Sequence, residues 1–316
     1  MAQLVAVGEL LIDFTPFAGD GNPLFEQNPG GAPANVLTAF TRLGGSAAMI
    51  GMVGEDIFGR YLRNVLRKSG IDDCGLKTTR EAETTLAFVS IAPDGERDFV
   101  FYRRPGADTQ LRWEDVDISL IEKCGMLTFG SLSQTTEPSR TATLRAVQLA
   151  RSLGKTVAYD PNWRPSLWRD RAAGLETMRA SLPYADILKV SDEEAILLTG
   201  ESDWKIAASQ LASLGPQAVF ITLGPDGCYY RLAGVEGFAK GFRVPVVDTT
   251  GAGDAFFGAA LSMIHQHGGL NALKPQDAAY IAHFANAAGA LCATRRGAIP
   301  AMPGRDEIEK LLREAV

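Results

Sequence analysis

The stretch "DTTGAGDAFF", residues 248 to 257, sets two glycines and one acid between a β-branched run and an apolar run. Gly251 and Gly253 permit a tight turn whose N–H groups face one side. A helix after that turn adds the unpaired amides of its first turn and the positive end of its dipole. Such a hollow suits a phosphoryl group whose charge spreads in a transition state. Asp254 stands at its rim, where the dipole favours the ionised carboxylate by ~0.3–1 kcal/mol. It can take a proton from an attacking hydroxyl, and phosphoryl transfer asks little of such a base. It can equally be a capping acid after a glycine turn, and the local string leaves both open. No Lys-Ser or Lys-Thr follows the glycines and the third glycine of a dinucleotide fingerprint is missing, which excludes those two phosphate loops.

Chemistry of this kind needs strands to deliver side chains to one edge, and the chain reads that way. "LVAVG", "AAMIGMVG", "MLTFGS", "KTVAYDPN", "ADILKVS" and "QAVFITLG" are short apolar runs of buried-strand type. Helical patterns alternate with them at 33–43, 57–70, 140–154 and 192–200, and the final helices are expected at about 253–267 and 278–293. "GCYYRL" and "FRVPVVD" read as late antiparallel strands. Residues 85–103 form two alternating runs about a Pro-Asp-Gly turn, a hairpin signal that suggests a flap or lid. The expectation is α/β: a three-layer, doubly wound, mostly parallel sheet with a small β lid, in a single domain over 1–316. Ligands in such sheets bind beyond the carboxyl ends of the strands, where Asp13, Asp160, Asn162, Lys189, Ser191, Thr222 and Asp248 fall.

Bulk properties narrow the classes. With 316 residues, 46% hydrophobic content and 22% charge, the chain can bury a large core. A net charge of −6 without basic blocks argues against nucleic-acid or membrane-surface partners. The four scattered cysteines show no metal or disulfide spacing and read as reduced thiols of a cytoplasmic protein. The start "MAQLVAVGELLIDF" lacks the features of a signal peptide, and no run is long enough to span a bilayer. His265 and His267 have no third partner for zinc.

Two long motifs carry a resemblance. "DTTGAGDAF" and "PGGAPANVLTAFTRLGGSAAMIGMVGEDIFG" (29–59), about 220 residues apart, resemble the two signatures of the ribokinase-like sugar kinases, a carbohydrate kinase family that includes the fructokinases. "DGERDFVFYRRPGAD", "YDPNWRPSLW" and "TRRGAIPAMP" fall in the expected order, so the resemblance spans the chain and is nearest the fructokinase subgroup. It implies that Asp254 is the base and that Gly251, Ala252 and Gly253 form the anion hole. It places Asp13, Gly30, Gly31 and Asn35 on the sugar, with Arg103 at the lid end and Asn162 and Arg164 near acceptor and phosphates. Lys189, Ser191, Thr222, Gly224, Gly227 and Asn286 match the nucleotide side. Glu194 matches an acid acting on magnesium through water, although the family's Asn-x-x-Glu is here "SDEE", with Ser191 for the Asn. Asp248 and Thr250 match a monovalent-cation site, so potassium joins ATP and magnesium as an expected cofactor.

The implied reaction is transfer from ATP to the primary hydroxyl of fructose, giving fructose 6-phosphate. Alternative acceptors are 2-keto-3-deoxygluconate, aminoimidazole riboside, ribose or a nucleoside. A sugar or nucleotide sensor without catalysis is the reading from another class. Lid strands are expected within 10–30 and 84–106, and the resemblance implies a homodimer formed through the lid.

Overall fold

The computed structural model describes residues 2–17, 24–91 and 97–314. The expected turn at 93–96 and part of the first lid segment lie outside them.

The chain opens with β1 (Leu4–Val7), then β2 (Leu11–Phe17) and β3 (Leu24–Gly30). Helix α1 (Ala32–Arg42) leads to β4 (Ala47–Gly54), and α2 (Ile57–Lys68) to the short β5 (Ile71–Asp72) and β6 (Leu76–Thr79). The lid hairpin is β7 (Leu86–Ile91) and β8 (Arg97–Tyr102). The second half runs α3 (Ile118–Lys123), β9 (Met126–Phe129), α4 (Ser139–Ser152), β10 (Thr156–Tyr159), α5 (Arg171–Ser181) and β11 (Ile187–Ser191). It continues with α6 (Asp192–Thr199), α7 (Trp204–Ser213), β12 (Ala218–Thr222), β13 (Gly227–Leu232) and β14 (Val235–Lys240). Three helices close the chain: α8 (Ala252–Gln266), α9 (Pro275–Cys292) and α10 (Arg305–Glu314).

The main sheet has the order β14-β13-β12-β11-β10-β9-β1-β4-β5, with β6 also paired to β4. Its pairs are parallel from β12 through β5 and antiparallel at the β12-β13-β14 edge. Alternate residues feed two cores. Leu4 and Ala6 join Met49, Phe220 and the side chains of α1, α2, α8 and α9. Val5 and Val7 join Ile50, Leu127, Val190 and the side chains of α3 to α7. Both faces of the sheet are therefore covered, and that is why its strands read as unbroken apolar runs.

β1 has β4 on one side and β9 on the other, so the strand order reverses there and opens a crevice at the strands' carboxyl ends. The second sheet, β3-β2-β7-β8, stands over that crevice. β2 pairs antiparallel with β3 and parallel with β7, so both expected lid segments form one sheet.

Two expectations about the late elements are corrected. "FRVPVVD" is not a strand: Pro245 lacks a ladder donor, Val246 and Val247 are exposed, and the Val247 N–H donates to the Ala293 carbonyl at 2.8 Å. The antiparallel partner of β13 is instead "VEGFAK", paired along its length. The last helix is α10, beyond the expected pair. Among the described residues no helix is long and apolar enough to cross a membrane.

Candidate active site

The crevice holds a cavity of about 490 Å³ to which both motifs contribute. Gly31 caps α1 at φ +109°, and a Cβ there would lie 2.6 Å from the Glu9 carbonyl oxygen. Only glycine allows the start of α1 to lie on the end of β1 in this way. A Cβ on Gly30 would meet Asp13 Oδ2 at 2.0 Å, so this glycine makes room for the acid rather than lining the cavity. One turn into α1, Asn35 Nδ2 donates to Asp254 Oδ2 at 2.8 Å. Asn35 Oδ1 is buried without a hydrogen-bond partner among the described residues.

Asp254 reaches that contact because α8 packs directly on α1. A Cβ on Gly258 would lie 2.6 Å from both Ala39 Cβ and the Val36 carbonyl oxygen. Gly251 caps α8 in the left-handed region at φ +79°. The Ala252 N–H turns back to the Thr249 carbonyl at 3.2 Å. Gly251, Gly253 and Asp254, whose N–H groups have no carbonyl within the helix to reach, therefore present the donors of the hollow. Ala252 contributes backbone shape there, not a donor. Asp248 braces the turn from behind, accepting from the N–H groups of Thr250 (2.9 Å) and Gly297 (3.1 Å).

A cation lies across from the hollow. Lys189, midway along β11, donates to Asp160 Oδ2 at 3.0 Å, and a Cβ built on Gly253 would be 3.1 Å from its ammonium. Burial works against the charge of Lys189, but Asp160, Glu194 and Asp254 outweigh it and raise its pKa, so the side chain stays protonated. Burial raises Asp254, while the Asn35 amide, Lys189 and Arg164 pull it back down. Asp13 is pushed up to about 7 by burial, against the pull of Arg164.

Ser191 caps α6, its hydroxyl accepting from the Glu194 N–H at 3.1 Å. Glu194 answers with Oε2 on the Ser191 N–H (2.8 Å) and Oε1 on the Trp163 N–H (2.6 Å). This capping box points a buried acid at the cavity. The hydrogen bond from the Asn162 N–H to Asp160 (3.2 Å) turns the chain after β10, with Asn162 at φ +48°. Asn162, Arg164, Thr222, Gly224 and Thr250 also line the cavity.

Besides Gly30, Ala252 and Asp248, three further expected residues lie outside this cavity. The Arg103 guanidinium is nearly buried and tied to Asp108 at 2.6 Å, to Thr135 Oγ1 at 2.7 Å and to the Leu132 carbonyl at 3.0 Å. It anchors the root of the lid and lines a neighbouring cavity of about 910 Å³ with Phe101 and Arg104, outside the cavity that Asp254 borders. Gly227, at φ +122°, opens β13 opposite Lys240 and lies against the Ala239 carbonyl, at the far end of the hairpin from its turn, and Asn286 donates to the carbonyls of Ala239 and Lys240. Both serve the antiparallel edge.

Glu9 is a cavity-lining acid absent from the sequence expectations. Its signal was a carboxylate inside the opening apolar run, "VGELLIDF".

An anion hollow, a buried ammonium and a carboxylate held by a neighbouring amide can stabilise a moving phosphoryl group and accept a hydroxyl proton. Oxygen ligands also fit a magnesium ion that keeps most of its waters, since Glu194 and Asp254 border the same space.

Known proteins agree with this chemistry. Fructokinase-1 of Oryza sativa subsp. japonica is 42% identical over 318 residues, covering 99% of this chain and 98% of its own. A structure of fructokinase from Xylella fastidiosa with bound ATP aligns with a TM-score of 0.91 at 33% identity, covering 100% of this chain and 99% of that one. Fructokinase from Vibrio cholerae O395 in a fructose, ADP and calcium ion bound form gives 0.89 at 31%, with 99% of each chain covered. Residues 1–305 match the model of the pfkB family carbohydrate kinases, and the chain belongs to that family.

Proposed function

We propose that this chain is an ATP-dependent fructokinase that transfers the γ-phosphoryl group to the primary hydroxyl of fructose, giving fructose 6-phosphate and ADP. The observation that carries this reading is the hydrogen bond from Asn35 to Asp254, which joins the first motif to the second beside the amide hollow. Two structural relatives support the substrates, one holding ATP and one holding fructose and ADP.

In this reading Asp254 takes the proton of the attacking hydroxyl while its oxygen forms the new bond to phosphorus and the bond to ADP breaks. The Gly251, Gly253 and Asp254 amides and Lys189 hold the charge that develops on the phosphoryl oxygens. Asp13 and Asn35 hold acceptor hydroxyls over the Gly30-Gly31 turn, and Arg164 sits between acceptor and phosphates. Ser191, Thr222 and Gly224 border the nucleotide. Magnesium, held through water by Glu194, supplies charge neutralisation of the phosphates when bound. Asp248 and Thr250 form the monovalent-cation site, and potassium over sodium is the test of it. The protein acts as one domain with its lid, and two copies pair through the lid's exposed Phe17, Phe25, Val100 and Tyr102. Sedimentation of a Tyr102→Lys variant tests that pairing.

The decisive experiment is a panel of acceptors with coupled ADP detection, including 2-keto-3-deoxygluconate, aminoimidazole riboside, ribose and a nucleoside. Fructose should exceed every rival by at least about tenfold in kcat/KM, the discrimination that one or two pocket contacts supply. A smaller preference sinks the substrate assignment and leaves the kinase chemistry standing.

A further inference from the structure

We propose that Glu9 is an acceptor-binding and specificity-determining residue, its carboxyl meeting one hydroxyl of the sugar from beneath the Gly30-Gly31 turn. This rests on the sugar-kinase reading above and adds a residue to it.

Glu9 is 2% exposed, and its residual surface belongs to the cavity that Asp13, Asn35 and Asp254 also line. Its Oε1 accepts from the N–H of Ala32 at 3.1 Å, which fixes the carboxyl against the first turn of α1. The backbone of Glu9 and Leu10 lies against Gly31, so the side chain has little freedom to turn away. A serine, asparagine or aspartate can cap a helix amide without burying a longer acid. Burial pushes the Glu9 carboxyl up to about 8; nearby Asp108 pushes the same way, and Arg103 opposes it. At neutral pH the group is mostly a neutral acid with an O–H to donate. Asn35 Oδ1 offers the cavity an acceptor, so Glu9 adds a donor of opposite sense. Arg103 and Asp108, tied to each other, do not compete for that proton.

The test uses full-length protein, Glu9→Ala, Glu9→Met and Glu9→Gln, fructose, and a set of monodeoxy fructoses. Wild type should lose about tenfold or more in kcat/KM on one deoxy sugar, the worth of one buried hydrogen bond. Glu9→Ala and Glu9→Met should raise the KM for fructose by a similar factor and leave the KM for ATP within about twofold. On those variants the penalty for that same deoxy sugar should vanish. Glu9→Gln, which keeps a donor and the bond to Ala32, should restore most of the discrimination. An unchanged fructose KM, both KM values rising together, or a deoxy penalty that persists overturns the proposal. So does loss of ATP-analogue binding in both truncating variants, since Glu9 would then be serving the fold. If wild type prefers another sugar, the fructose assignment falls, and the Glu9 comparison runs unchanged on monodeoxy forms of that sugar.

Discussion

Asp254→Asn should lower activity and raise stability together. The carboxylate accepts from Asn35 Nδ2 at 2.8 Å and is enclosed by α1, Lys189 and the amide hollow. An asparagine fits the same volume, so the loss of a proton acceptor is the main change at the reacting centre. Removing a general base costs about 10²–10⁴ in rate, equal to about 2.7–5.4 kcal/mol of transition-state stabilisation. The stability term has the opposite sign. Burial raises the Asp254 pKa above its unfolded value. Its contribution to stability is thus fully present below the unfolded pKa and is lost as pH rises through the folded one. The amide has no charge to bury, so the Tm of the variant should exceed that of wild type in neutral to alkaline buffer, with the gap narrowing as pH falls toward the ordinary carboxylate range. Coupled ADP release gives kcat, differential scanning fluorimetry gives Tm, and titration with a non-hydrolysable ATP analogue should show affinity unchanged. Turnover within tenfold of wild type refutes the base assignment. A large drop in Tm would instead make Asp254 a structural anchor of α8.

Three further outcomes follow from the packing. Gly258→Ala must push α1 and α8 apart, because the new Cβ would stand 2.6 Å from the Val36 carbonyl oxygen; about 1–3 kcal/mol of lost stability in urea and a matching fall in kcat are expected, and wild-type values in both would show that the helices yield freely. Arg103→Ala leaves Asp108 as a buried unpaired acid and should cost about 3–5 kcal/mol in chemical denaturation, with Asp108→Asn on top recovering part of it; a cost below ~1 kcal/mol would mean the pair is solvated like a surface bridge. Glu9 and Asp13, raised to about 8 and about 7, each lose their contribution to stability as pH rises from the ordinary carboxylate range through those values, so Tm should decline from about pH 4 to about pH 8 and level off above. Glu9→Gln and Asp13→Asn should flatten that decline, and a profile unaltered by both would refute the cause.

The sequence and the structure agree best where the physics is local. A glycine turn before an apolar helix announces unpaired amides, so Gly251, Gly253 and Asp254 were readable without knowing what packs nearby. Thr222 was readable because it ends a strand of the parallel sheet, whereas Lys189 sits midway along β11 and Asp13 stands in β2 of the lid sheet, not at the end of a parallel strand. The pairing of Arg103 was not legible because its neutralising partner, Asp108, folds back only through the 103–108 turn, where Gly106 admits Thr85 and Asp108 at distances a Cβ would forbid. Glu9 was missed because its placement depends on Gly31, more than twenty residues later, lying against its backbone. "FRVPVVD" has β-branched composition yet no neighbour to pair with, while "VEGFAK", with a glycine and three charged or small residues, pairs throughout. Strand formation at that edge followed the available partner more than intrinsic preference.

The bond between Asn35 and Asp254 joins residues 219 positions apart. On a translating ribosome Asn35 therefore emerges long before the carboxylate it holds. Until α8 leaves the exit tunnel, α1 lacks the helix it packs against, and if Asp254 is the base the nascent chain has no group to deprotonate an acceptor. Under the base assignment, competence arrives only once α8 is made, so products truncated before α8 should be inert toward ATP rather than wasteful of it.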